Sequence, residues 1–324
     1  MNPKNLIQLY NHEFSQQLND YIKLQLINQS NYGKTFLIKN KNKNRQLYLL
    51  SQYPIYILNN KSIKDHLFTS LMKLIKLQSY DNSDQYIINY RTHFLDKNFL
   101  YFIFDYKNTI NFGNFYNNLL NTTLSFDFTL NLQSQSKFCY QLITGLNWIH
   151  SKNVTHGNVQ IESIWMSMDN YQLYWVNFGF IIPTSPLYAS PELSEALIEQ
   201  DQNKPEKFTD YINNQKKLMS NDVWGLGVII HYIITGQYLH INNVELSNTM
   251  SQQQIWTLLS QLKSHRNNLI KLDIPNIKNI KLPINENIDN WLAFILWILN
   301  PNWMKRPTIN QLLIFFEQNL LNLA

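Results

Sequence analysis

The sequence predicts an α+β protein in two unequal parts: a small strand-rich part with one main helix, then a larger, mostly helical part. Three observations point to it. Residues 21–106 are dominated by short alternating apolar runs, broken by one stretch of helical periodicity. From about residue 134, five stretches space their apolar residues at three and four. The chain has 324 residues. That exceeds a typical domain of about 150, so two domains or one two-lobed unit is expected.

The elements follow in order. Residues 1–20 read as a weakly amphipathic lead-in helix, and 21–106 as the strand-rich lobe. "YIKLQLI" alternates, and "KTFLIKN" and "QLYLLSQYPIYIL" are separated by the polar turn "KNKNR". "SIKDHLFTSLMKLIKLQ" has helical periodicity, with Ser62 placed as its N-cap. "YIINYRTHF" and "FLYFIFDY" return to strand. Residues 107–324 form the helical lobe, through "SKFCYQLITGLNWIHS", "DVWGLGVIIHYIITG", "SQQQIWTLLSQLKSH", "NIDNWLAFILWIL" and "TINQLLIFFEQNLL". The hinge is expected in "DYKNTINFG", and no internal repeat is visible.

Composition narrows the function classes. An apolar fraction of 44% with 15% charged residues supports a large core and argues against disorder. The single cysteine, Cys139, excludes an internal disulfide framework and reads as a small buried hydrophobe. The histidines, His93 and His231 among them, have no metal spacing. The N-terminus lacks the apolar stretch of a secretory signal. The longest apolar run, "WLAFILWIL", is far short of the about 20 residues needed to span a bilayer. A soluble, cytoplasmic protein is expected. Its net charge of +5 is uneven: residues 1–110 carry 14 Lys and Arg against 7 Asp and Glu, and the rest 13 against 15.

The order of landmarks in the helical part resembles the eukaryotic protein kinases. "LNWIHSKNVTHGNV" is similar to the lead into the His-Arg-Asp catalytic loop, and "NFGF" to Asp-Phe-Gly-Phe. "YASPE" is similar to the Ala-Pro-Glu motif. "NDVWGLGVIIHYIITG" resembles the Ser-Asp-Val-Trp-Ser-Leu-Gly helix, and "NPNWMKRPT" the late arginine motif. Each is weak alone. Five in order are specific. The resemblance spans nearly the whole chain and implies a two-lobed fold, with an antiparallel sheet and one main helix in the N-lobe.

Phosphoryl transfer needs neutralised phosphates, held magnesium and an oriented acceptor hydroxyl. The resemblance assigns these tasks to positions that here carry other residues. The catalytic base becomes Asn158, which takes no proton near neutral pH, although a positioned base supplies about 10²–10⁴ in rate. The preceding arginine becomes Gly157, and the loop lysine becomes Gln160. The two magnesium ligands become Ser163 and Asn177, poorer ligands than carboxylates for a hard dication. The strand lysine aligns with Ser51, or with Leu50 one register away, and its glutamate partner falls near Ser70. Of the glycine-rich loop only Gly33 remains. Leu49 (Tyr48 in the other register), Phe104 and Trp165 are large where the adenine pocket is lined. They would fill it, unless Trp165 turns outward.

The positions that hold a kinase together are kept. Glu192 and Arg306 match the buried ion pair, and Asp222 matches the helix residue that binds the loop backbone. His156 and Phe178 match two members of the hydrophobic stack. The resemblance thus implies a pseudokinase with no nucleotide, metal or cofactor, acting as a scaffold or subunit through a protein partner. The alternatives are a divergent Ser/Thr kinase, with Lys34 replacing the strand lysine, and a metal-independent nucleotide-binding module. Two surfaces are candidates for the partner. The turn carrying Lys39, Lys41, Lys43 and Arg45 is either a solvated hairpin tip or a contact for an acidic surface, with nucleic acid disfavoured by the lack of interleaved aromatics. The charged segment 194–220 is either a solvated insertion or a docking element.

Overall fold

The computed structural model describes residues 20–29, 33–42, 46–55, 61–121, 132–178, 185–202, 204, 206–241, 244–264 and 287–320. The chain divides into two compact units, Met1–Thr109 with Ser167–Asn170, and Ile110–Met166 with Tyr171–Ala324. The lead-in helix expected before residue 20 lies outside the described residues, as do Lys43 and Arg45.

In the first unit, β1 (Tyr21–Gln29), β2 (Lys34–Asn40), β3 (Leu47–Pro54), β4 (Tyr90–Leu95) and β5 (Phe99–Asp105) form one antiparallel sheet in the order β1-β2-β3-β5-β4. Helix α1 (Lys61–Gln78) joins β3 to β4. The alternation seen in the sequence separates two faces. Tyr48 and Leu50 of β3 pack with Ile38, Phe94, Tyr101 and Ile103 on one face. On the other, Phe102 and Phe104 stand opposite Ser51 and Leu49, and Leu71 of α1 packs onto Phe102. The β4–β5 turn is held by Asp96, whose carboxylate accepts from the Asn98 and Phe99 amides at 2.7 Å and from the Tyr101 hydroxyl at 2.8 Å.

The second unit contains β6 (Thr109–Asn111) except its first residue, α2 (Phe112–Asn121), α3 (Leu132–Ser151), the paired strands β7 (Ile164–Ser167), except its last residue, and β8 (Leu173–Trp175), then α4 (Pro191–Asp201), α5 (Glu206–Ile212) and α6 (Gln215–Thr235). The short pair β9 (His240–Ile241) and β10 (Val244–Glu245) follows, then α7 (Gln252–Ser264), α8 (Asn287–Ile298) and α9 (Ile309–Asn319). Helix α6 is its axis, buried from Asn221 to Ile234. Asn214 caps its start by accepting from the Lys217 amide, and Gly236 ends it at φ 71°, a left-handed turn that glycine adopts without strain. A β-carbon on Gly227 would lie 2.5 Å from Ile298, so the missing side chain lets α8 lie directly against α6. No helix among the described residues is long and apolar enough to cross a membrane.

Four expectations need correction. Helix α1 opens at Lys61, so Ser62 falls inside it, within the ordinary one- or two-residue uncertainty of helix ends. The strand expected from Tyr86 begins only at Tyr90, because Asn82 at φ 62° starts a short 3-10 turn over Ser83–Gln85. Segment 194–220 is a solvated insertion only in part, for its first residues belong to a packed helix while most beyond residue 198 face solvent. Ser190 caps α4 and Pro191 occupies its first turn, and the helix buries Leu193, Ala196 and Leu197 at helical spacing. Glu195 and Glu199 of this helix face outward and pair with Lys207, and Tyr211 of α5 is buried. The fourth concerns Lys34, the substitute cation. It pairs with Gln52 while Thr35 pairs with Ser51, so Lys34 points to the sheet face opposite Ser51.

Glu192 and Arg306 tie α4 to the segment before α9. Arg306 Nη1 and Nη2 donate to Glu192 Oε1 and Oε2 at 2.9 and 3.1 Å, and both side chains are almost wholly buried. The guanidinium also donates to the carbonyls of Ser220 and Asn300 and lies 5.0 Å from the Trp224 ring centre. Every donor it brings inside has an acceptor, which is what a buried charge requires. Arg306→Ala should therefore lower unfolding free energy by about 3–5 kcal/mol in urea, because Glu192 is left buried and unpaired. In that background Glu192→Ala should cost less than in the parent chain, and equal costs would mean the two groups do not act as a pair.

Candidate functional site

The site lies in the second unit, in the loop 156–163 that follows α3 and precedes β7. Asp222, in the third turn of α6, has no solvent exposure. Its Oδ2 accepts from the His156 amide at 2.7 Å and meets His150 Nε2 at 3.0 Å; its Oδ1 accepts from the Gly157 amide at 2.8 Å. Burial pushes this carboxyl up. The His150 hydrogen bond, the charges of His150 and His156 and the Gly157 amide outweigh it and leave the group below the ordinary carboxylate value. Gly157 sits at φ 80°, so the two successive amides turn onto one carboxylate through a left-handed residue. Gly225 brings α6 against the same loop, for a β-carbon there would lie 2.6 Å from the Val159 carbonyl oxygen. The His156 ring is fully buried, 4.3 Å from the Phe178 ring centre and 5.1 Å from that of Trp175.

The substituted positions make their own hydrogen bonds. Asn158 is buried, and its Nδ2 donates to Ser163 Oγ and to the Asn177 carbonyl, both at 3.1 Å. The Asn158 amide donates to His156 Nδ1 at 3.2 Å. Gln160 Oε1 accepts from the Ser185 amide at 3.1 Å, which holds the chain where it re-enters the described residues. The Ser163 carbonyl accepts from the Val176 amide. Asn177 adopts φ 58°, a conformation asparagine tolerates better than most residues. The side chains of Asn158 and Ser163 and the backbone carbonyl of Asn177 are thus connected.

The donor set does not suit magnesium. Its side chains offer amide and hydroxyl oxygens, with no carboxylate to compensate for stripping water from a hard dication. Among the described residues no three His, Cys, Asp or Glu side chains gather as metal ligands would.

The remaining expected positions lie elsewhere. Ser51 is in the middle of β3, in the first unit, where its hydroxyl meets that of Thr35 at 3.2 Å. Ser70 falls in the second half of α1. Leu49 and Phe104 are paired across β3 and β5, while Trp165, buried in β7, belongs to the second unit. The Trp165 indole N–H has no acceptor among the described residues. Lys39 is in β2, and the Lys41 amide donates to the Asp20 carbonyl. Cys139 is fully buried. His231 is buried too, which pushes its imidazole down to about 4. The sequence reading missed the part played by His150 and the bond from Gln160 to Ser185. Nothing in "WIHSKNVTH" marks the first histidine as the partner of a carboxylate 72 residues away.

Asp222→Asn should destabilise the protein by about 1–3 kcal/mol at neutral pH, because an amide NH₂ must then face one of three donors. The folded pKa of Asp222 is depressed, so its contribution is complete above the unfolded value and is lost as pH falls through the folded one. Denaturation curves for the two chains should differ most at neutral pH and converge in acid.

Comparison with known proteins bears on the whole chain. Residues 21–314 match the family profile described as the protein kinase domain. Among curated proteins, "Mitogen-activated protein kinase 4" of Rattus norvegicus is 30% identical over 119 residues, covering 36% of this chain and 42% of that one. "Serine/threonine-protein kinase ppk25" of Schizosaccharomyces pombe is 29% identical over 111 residues, covering 31% and 22%. These matches span less than half the length of the relatives. Among solved structures, that of Rad53 1-466 in complex with AMP-PNP superposes with a TM-score of 0.59 at 13% identity, over 92% of this chain and 65% of that one. At that identity the likeness concerns fold alone.

Proposed function

Because the chain belongs to the protein kinase domain family, we propose that it keeps the frame of a phosphotransferase without its chemistry, as a pseudokinase that serves as scaffold or subunit in a larger protein assembly. One observation carries this reading: the amide of Asn158, where the family places its proton acceptor, is occupied as a donor to Ser163 and to the Asn177 carbonyl. A carboxylate only accepts, so it could take a hydrogen bond from the Ser163 hydroxyl but could make none to the Asn177 carbonyl. The residue suits the structure around it and is unsuited to taking a proton from a hydroxyl.

Two further points support the proposal. The positions where the family holds magnesium carry neutral residues, Asn177 and Ser163, and the Ser163 hydroxyl accepts from Asn158. Lys34 lies on the wrong face of the sheet to stand in for the missing lysine at Ser51. The proposed partner is a protein, and the basic residues Lys39 and Lys41, with Lys43 and Arg45, favour an acidic surface on it. A second reading, an active Ser/Thr kinase, has in its favour that the named relatives are kinases.

Thermal melting of the full chain with and without about 1 mM ATP and magnesium should distinguish them, since a ligand at 100 times its Kd adds about 2.7 kcal/mol. The proposal predicts no shift and no transfer of labelled phosphate. A shift accompanied by transfer that Asn158→Ala abolishes would establish the kinase reading instead. Asn158→Asp should not create activity, and should destabilise the chain by about 1–3 kcal/mol at neutral pH. The new carboxyl, buried and facing a carbonyl, would have a raised folded pKa. Its penalty is therefore absent below the unfolded value and grows as pH rises above it, so the variant should approach the parent in acid.

A further inference from the structure

A cavity lined by described residues lies wholly within the second unit. It measures about 550 Å³ between the end of α3, the start of α6 and the segment leading into α9. That is the size of cavities that take ligands, about 300–1,000 Å³. Its apolar walls include Met219 and Val223, one turn apart on α6, together with Trp303 and Ile309. His150, its side chain only 7% exposed, lines the same space while bonded to Asp222.

The charge around this cavity has one sign. Lys216 and Arg306 line it and no Asp or Glu does. Arg306 is committed to Glu192, whereas exposed Lys216 has no ion pair among the described residues. Two helices also begin here. Lys216 and Met219 belong to the first turns of α6, and Thr308, Ile309 and Asn310 to the capped start of α9. Both present the positive end of a helix dipole.

The exposed rim indicates the size of the occupant. Met304 lines the cavity and is 71% exposed, the most exposed large hydrophobic residue among those described. A small molecule confined to the cavity would leave it in water. A partner's surface would cover it, and methionine adapts readily to varied contacts.

We propose that this cavity is the docking site for an acidic segment of a protein partner, which seats one large apolar side chain between Met219, Val223, Trp303 and Ile309, places a carboxylate on Lys216 and covers Met304. The proposal rests on the scaffold reading and adds, to the basic turn of the first unit, a second contact for an acidic partner. Through His150 and Asp222 the occupant would touch the group that holds the 156–157 backbone, so binding is registered in the loop.

The test is selection of a phage-displayed library of random peptides against the full chain, with the selected peptides then made synthetically. They should carry a large apolar residue beside Asp or Glu and shift the His150 ring signals in NMR spectra. They should lose at least about tenfold in affinity, about 1.4 kcal/mol, on Met304→Glu and on Lys216→Glu. Both positions are exposed, so the melting temperature should not change. Replacing the peptide carboxylates with lysines should restore binding to the Lys216→Glu chain. Selected peptides that are basic, or insensitive to both substitutions, would overturn the site, as would no enrichment above a Met304→Glu, Lys216→Glu control. Octanoate shifting the His150 signals where no selected peptide does would overturn the macromolecular occupant. Phosphate transfer by a chain that still binds the peptides would remove the non-catalytic reading and leave the site standing.

Discussion

The second unit is organised around a carboxylate that cannot reach water. Asp222 has no exposure, and a charge in that position is tolerable only where donors surround it. Two come from consecutive amides, His156 and Gly157, and a third contact comes from His150 at the end of α3. The requirement works in both directions. Helix α6 needs the loop to solvate its aspartate, and the loop needs the aspartate to satisfy amides that belong to no helix or strand. Gly225 and the ring stack of His156, Phe178 and Trp175 then fix how closely the loop lies.

Within that frame, the residue types at Asn158, Gln160 and Ser163 leave their buried side chains with partners. Asparagine donates where an aspartate could not, and glutamine accepts the Ser185 amide where a lysine could not. Neutral groups with complementary donors and acceptors can be buried at little cost. The same backbone with ionisable groups would have to pair or solvate each one. The contrast is sharpest beside Glu192 and Arg306, where two charges are buried and each is fully bonded.

Much of this was legible in the sequence because it follows from periodicity and from short landmarks. The short apolar runs marked the strands, and the spacing in "NDVWGLGVII" marked a helix, though not that it is buried on every side. Segment 194–220 is mixed: Ala196 and Leu197 continue the apolar stripe begun at Leu193, while most residues beyond 198 face solvent. The start of β4 was missed because a left-handed asparagine at 82 leaves no mark in an apolar pattern. In the site, residue identities could be aligned, but partners could not. The bonds from Asn158 to Asn177 and from His150 to Asp222 join residues that only the fold brings together. The cavity beside α9 is likewise a property of three separate segments.

The left-handed backbone at Gly157 makes the two routes back towards an ionisable loop unequal. Aspartate tolerates positive φ nearly as well as asparagine does, so an acid could return to position 177 with its conformation unchanged. An arginine returning to position 157 would carry a β-carbon into φ 80°, a strain of about 1–2 kcal/mol that glycine avoids. An arginine at position 157 would thus carry that strain at the residue whose amide solvates Asp222, a cost that an aspartate at position 177 would not meet.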